Sequence, residues 1–215
     1  MASIKLTGDT SGEITISAPA VAGTNTLTLP AETGSVITST SLNTESNLVR
    51  LAGETLSSDV SSIAFSTSVI TTTYKTYVLY SRLQPKTDGA RVILRVNDNT
   101  GSLLTTVSDY GSQVYRGSGV DFSDSTTSSV YPVSSSGNAT GEYAYYKHEF
   151  SEIRASDKKT TFLFQGTNIS TAGNCAFVTG GAIASVAEDN QGLTVLFDSG
   201  DIASGSSYVL FGVKS

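Results

Sequence analysis

The sequence predicts an all-β fold: an N-terminal β-strand arm followed by an antiparallel, jelly-roll-like β-sandwich, with a closed barrel as the alternative architecture. Three observations lead there. Apolar and polar residues alternate in many short runs, which is the period of a half-buried strand. Glycine, proline, asparagine and aspartate separate those runs, as tight turns require, and the 215 residues include 20 Gly. Helix signals are missing: no heptad is sustained, while the abundant threonine suits strands and the serine suits turns.

The arm spans residues 1–40. Its alternating runs are Glu13-Ile14-Thr15-Ile16, Thr26-Leu27-Thr28-Leu29 and Ser35-Val36-Ile37-Thr38. Each run carries only two apolar residues, so a meander built from them buries too little to stand alone. Ile14, Ile16, Leu27, Leu29, Val36 and Ile37 are therefore candidate assembly residues that pair with a partner chain. Pro30 limits runaway strand pairing beside them. The stretch from Ala18 to Gly34, APAVAGTNTLTLPAETG, resembles a module that recurs near the N-termini of tail-fibre and other structural proteins of tailed bacteriophages. That resemblance implies a virion component assembled in the host bacterial cytoplasm. It does not say which part of the particle the chain occupies.

Residues 41–60 read as a linker. Within it Leu48, Leu51 and Leu56 suit either a helical turn or a first strand. Residues 61–215 make up the expected sandwich. Ile63 and Phe65 alternate with polar neighbours, and Tyr74 to Leu83, YKTYVLYSRL, is a long β-branched and aromatic run. The turn Gln84-Pro85-Lys86-Thr87-Asp88-Gly89 follows, then the strand Arg91 to Val96, so this pair reads as a hairpin-like unit. Ser108 to Gly141 reads as long decorated loops with short strands. Strand patterns resume over Glu142–Ile153, Lys159–Gln165, Ala182–Ala187, Leu193–Phe197 and Tyr208–Val213. Phe162 and Phe164 share a face, and Leu193, Val195 and Phe197 point inward. The stretches TYKTYVLYSRLQPKTDGARVILRVNDN, GNATGE and FDSGDIASGSSYVLFGVK resemble a β-domain of small phage virion proteins.

With 19 acidic and 13 basic residues, the net charge is −6 and the pI about 4.7. That balance argues against nucleic acid and against anionic membrane surfaces, both of which are bound through excess cations. No apolar run approaches the about 20 residues of a spanning helix, so no membrane insertion is expected. Cys175 is the single cysteine, which excludes an internal disulfide and a multi-cysteine metal site.

Catalytic chemistry finds little to work with. His148 is the single histidine and lies in a strand-like run, with no G-x-S-x-G elbow to serve it. It reads as a surface or satisfied strand histidine, and Cys175 as a small buried hydrophobe. The carboxylates Asp98, Asp109, Asp121, Asp124, Glu142, Asp198 and Asp201 show no spacing that marks an acid–base pair. Asn97-Asp98-Asn99 and Asp121-Phe-Ser-Asp124 lack calcium-loop spacing and read as turn chemistry. No cofactor is expected and no catalytic residue is assigned. The tyrosines are more suggestive. There are 10 Tyr and no Trp, and the first reading of that abundance is strand and sheet packing. The alternative makes Tyr110, Tyr115, Tyr131, Tyr143 and Tyr145 candidate glycan or partner contacts.

The expectation is a non-enzymatic structural protein of a phage virion. It is a capsid decoration or cement protein on the outer surface, forming a homotrimer and bound to the major capsid protein or other virion proteins. The alternative is a tail-fibre or receptor-binding protein that recognises host-surface glycans.

Overall fold

The computed structural model describes residues 3–7, 11–17, 47–116, 119–130 and 135–214. Strands, turns and irregular segments make them up, without a helix among the described residues. The chain divides into two units, Met1–Ile37 and Thr38–Ser215.

In the first unit β1 (Ser3–Thr7) pairs antiparallel with β2 (Glu13–Ser17). The register sets Ile4 opposite Ile16 and Leu6 opposite Ile14. Gly12 takes a φ of 83° just before β2, a conformation that costs glycine little. Leu6 remains 55% exposed, and a two-stranded ribbon of this kind is marginal in water. Leu27, Leu29, Pro30, Val36 and Ile37 lie outside the described residues. β1 had no counterpart among the predicted runs.

The second unit holds β3 (Leu48–Thr55), β4 (Ile63–Ser66), β5 (Thr76–Leu83), β6 (Val92–Asn97), β7 (Tyr110–Arg116), β8 (Gly119–Thr127), β9 (Ala144–Ser151), β10 (Lys159–Ile169), β11 (Cys175–Ala187), β12 (Gly192–Phe197) and β13 (Ser207–Val213). They form two antiparallel sheets. The larger runs β3-β13-β5-β9-β10-β11-β7-β8 and the smaller runs β4-β12-β6.

One apolar core lies between the sheets. Tyr77, Leu79, Leu83, Phe150, Phe162, Phe164 and Leu210 come from the large sheet. Ile63, Phe65, Leu94, Val96, Leu193, Val195 and Phe197 come from the small one. The expected inward sets of β4, β10 and β12 are therefore in place. The rings of Tyr77 and Phe150 stack 5.3 Å apart within the core. Phe65 meets Tyr208 edge-on at 5.5 Å across the two sheets. Burying a phenylalanine or leucine in such a core contributes roughly 1.5–3 kcal/mol. Gly180 makes room for this packing: a Cβ there would collide with the Phe164 ring and with the Gln113 carbonyl on the neighbouring strand.

Three expectations change. The 41–60 stretch contains β3, paired to β13, so the sandwich begins at Leu48 rather than after a linker. β5 and β6 do not pair as a hairpin. They lie in different sheets, and the segment between them crosses over, tied by Pro85 bridging Ile202 and by the Lys86 amide donating to the Asp201 carbonyl at 2.9 Å. The Asp88-Gly89 turn does form, with Gly89 at φ 77°, so turn chemistry was legible where strand partnership was not. The first half of the 108–141 segment pairs β7 with β8, with two register shifts, rather than forming decorated loops with short strands; its described residues beyond β8 belong to no named strand.

Candidate functional site

The outer face of the large sheet carries the features that a binding surface needs. Strand alternation points Val78, Tyr80 and Arg82 of β5 away from the core, along with Tyr145, Lys147 and Glu149 of β9. Cross-strand register then arranges rows. One runs Ser207, Arg82, Tyr145, Thr167, Phe177, and the next runs Val209, Tyr80, Lys147, Gln165, Thr179, Tyr115. Tyr80, Tyr115, Tyr145, Leu163, Phe177 and Ile183 are each at least 40% exposed on this one face.

A groove of about 640 Å³ opens over the β3-β13-β5-β9 part of the face. Its size falls within the range of small-molecule and cofactor sites. Arg50, Tyr80, Arg82, Tyr145 and Lys147 line it, and Glu54 and Tyr208 border it at the strand edge, the Tyr208 ring turning inward onto Phe65. Arg82 is held by three contacts. Its guanidinium lies 3.6 Å from the centre of the Tyr143 ring, its Nε donates to the Tyr145 hydroxyl at 3.4 Å, and its Nη1 donates to the Gly205 carbonyl at 3.2 Å. The Tyr145 hydroxyl raises the already high pKa of Arg82, so the charge is permanent. Tyr80 leans edge-on against Phe211 at 6.3 Å. Arg50 Nη2 donates to the Gly53 carbonyl at 2.6 Å, and the Tyr208 hydroxyl donates to Glu54 at 3.1 Å. Lys147 pairs with Glu149 at 3.5 Å.

The tyrosines named from the sequence divide. Tyr143 and Tyr145 border this groove, 6.1 Å apart, and Tyr115 is exposed farther along the same face. Tyr110 is not a contact residue. It is fully buried, its hydroxyl accepts the Val96 amide at 2.8 Å across the two sheets, and burial pushes its pKa up. Tyr131 lies outside the described residues. Arg50, Tyr80 and Arg82 were not anticipated. The outward parity of Tyr80 and Arg82 in TYVLYSRL was the available signal.

His148 and Cys175 do not come together. His148 is 1% exposed on the inner face, between Tyr146 at 5.4 Å and Phe164 at 6.3 Å. It is neither a surface histidine nor a satisfied one, because its Nε2 has no hydrogen-bond partner. Burial alone pushes its pKa down from 6.5 to about 3, so it is neutral near pH 7. Cys175 is exposed at the start of β11, not buried as expected. Three of the candidate carboxylates close local turns: Asp98 accepts the amides of Thr100 and Ser102, Asp109 that of Thr106 and Glu142 that of Ala139. Asp198 instead accepts the amide of Arg91, far away in sequence. Asp98 is held below the usual carboxylate range, chiefly by the Thr100 hydroxyl. Among the described residues, His, Cys, Asp and Glu form no group of three or more that could hold a metal.

No family model matches the chain, and no curated protein or solved structure matches it significantly.

Proposed function

We propose that this chain is a non-enzymatic structural protein of a tailed-phage virion, a decoration protein on the capsid exterior that attaches through its N-terminal unit. The observation that carries this reading is the division of the chain. One unit contains a two-stranded ribbon with an exposed Leu6, and the other owns a complete core. A ribbon with open edges gains most by adding strands to a partner, which supplies main-chain hydrogen bonds. Three copies closing around an axis would satisfy those edges, so the working assembly is a homotrimer. The burial of His148 away from Cys175 supports the non-enzymatic part. The test is quantification of this protein in purified virions against the major capsid protein. A comparable copy number is expected, and a handful of copies per particle would move the protein to the tail.

The groove favours a second reading, a tail-fibre or receptor-binding protein for host glycans. Exposed Tyr80 and Tyr145 flank fixed hydrogen-bond donors, and sugar rings stack on such aromatic faces. Binding of the purified protein to host cells, abolished by Tyr80→Ala with Tyr145→Ala, supports it. Unchanged adsorption by that double variant excludes the groove as the receptor site.

A further inference from the structure

We infer that the groove between β3, β13, β5 and β9 takes an acidic saccharide, a sugar bearing a carboxylate or phosphate, with Arg82 as the anion anchor. This rests on the glycan-recognition reading and adds the chemical class of the ligand. Charge is the first argument. The groove gathers Arg50, Arg82 and Lys147 against Glu54 on a chain whose net charge is −6. Lys147 is partly neutralised by Glu149, whereas Arg50 and Arg82 have no carboxylate partner among the described residues.

Geometry is the second argument. A guanidinium has five N–H donors, and Arg82 spends two of them on Tyr145 and Gly205. The remaining donors suit the two oxygens of a carboxylate or phosphate. Stacking on Tyr143 fixes the plane of the group before a ligand arrives, which lowers the ordering cost of binding. A saccharide fits better than an acidic peptide because Tyr80 and Tyr145 present exposed rings on either side of the cations.

The test is calorimetric titration of the full-length protein with four polymers: polygalacturonate, dextran phosphate, uncharged dextran and polyglutamate. The expected result is binding of an acidic polysaccharide at least tenfold tighter than of dextran or polyglutamate. Arg82→Gln weakens it at least tenfold, and Lys158→Gln, a distant cation paired with Glu152, leaves it unchanged. Which acidic polymer wins separates a carboxylate from a phosphate ligand. Circular dichroism confirms that Arg82→Gln folds, and Arg50→Gln with Lys147→Gln gives a second route to the same loss. Equal binding of dextran, insensitive to Arg82→Gln, overturns the acidic ligand and leaves glycan recognition standing. Polyglutamate binding as tightly as either polysaccharide, or equal weakening by Lys158→Gln, overturns it in favour of a peptide or of diffuse charge. Binding of none of the four overturns both.

Discussion

The two faces of the large sheet use similar side chains for different ends. The inner face of β10 buries Phe162 and Phe164, while the outer face of the same strand leaves Leu163 at 58% exposure. The inner face of β5 buries Tyr77 and the outer face displays Tyr80 at 43%. Hydrophobicity alone does not separate these residues. What separates them is parity along the strand, together with a second sheet that covers only one side. Apolar groups left on the uncovered side contribute little to folding and remain free to contact a partner.

The largest test of that contrast is a pair of truncations on β10. Phe164→Ala opens a cavity beside His148 and should cost about 3–5 kcal/mol in urea unfolding. Leu163→Ala, one residue away, should cost within about 0.5 kcal/mol. Similar losses for the two would mean that the outer face is covered, and the groove would then not be a free surface.

Acid gives the next effect. His148 has a folded pKa of about 3 against 6.5 unfolded, so below pH 6.5 the unfolded chain binds the proton and the folded one does not. Stability is then full above pH 6.5 and falls as pH drops through the window down to 3. At pH 5 the loss from this group is about 2 kcal/mol. His148→Phe should flatten the curve between pH 5 and 7. The lowered Asp189 and Asp98 titrate in more acidic solution and should leave their own slope in the variant. A variant curve that keeps the slope above pH 5 would mean that His148 is protonated or hydrated inside the fold.

A smaller effect belongs to the end of the sandwich, where neither face contributes. Arg154 forks onto Asp189, with Nε to Oδ1 at 2.6 Å and Nη2 to Oδ2 at 3.1 Å, and Nη1 donates to the Ile70 carbonyl. The pair is partly exposed, so Arg154→Met should cost about 1–2 kcal/mol, and added salt should shrink the difference. A salt-independent loss would point to packing of the arginine stem instead.

Parity also explains what could be read in advance. Ile63 and Phe65 alternate cleanly with the exposed Ala64 and Ser66, while on β12 Leu193, Val195 and Phe197 keep the inward parity although Thr194 between them is buried as well. Tyr110 was misread because its inward companion on β7 is Ser112, which dilutes the period that Val114 continues. The β5–β6 pairing was misread because strong local turn chemistry says that the chain bends, not which sheet the next strand joins. Arg50 and Arg82 come from β3 and β5, which are separated in the sheet by β13, the last strand in sequence. A groove assembled from such long-range pairing leaves no local trace beyond the outward parity of its members.

The smallest expected effect concerns the N-terminal unit. Among the described residues the continuous core runs from Leu56 to Leu210, all within the second unit. Deleting residues 1–40 should therefore change the unfolding free energy of the sandwich by no more than about 0.5 kcal/mol. Attachment is a different matter. If the ribbon works by adding strands to a partner, the truncated protein should remain folded and soluble yet fail to bind particles, and light scattering should report loss of the trimer. The outer face offers the competing route, since Leu163, Phe177 and Ile183 are exposed enough to hold a second copy. A truncated protein that stays trimeric assigns assembly to that face. Leu163→Asp should then dissociate it, whereas the same substitution leaves a trimer held by the N-terminal unit intact.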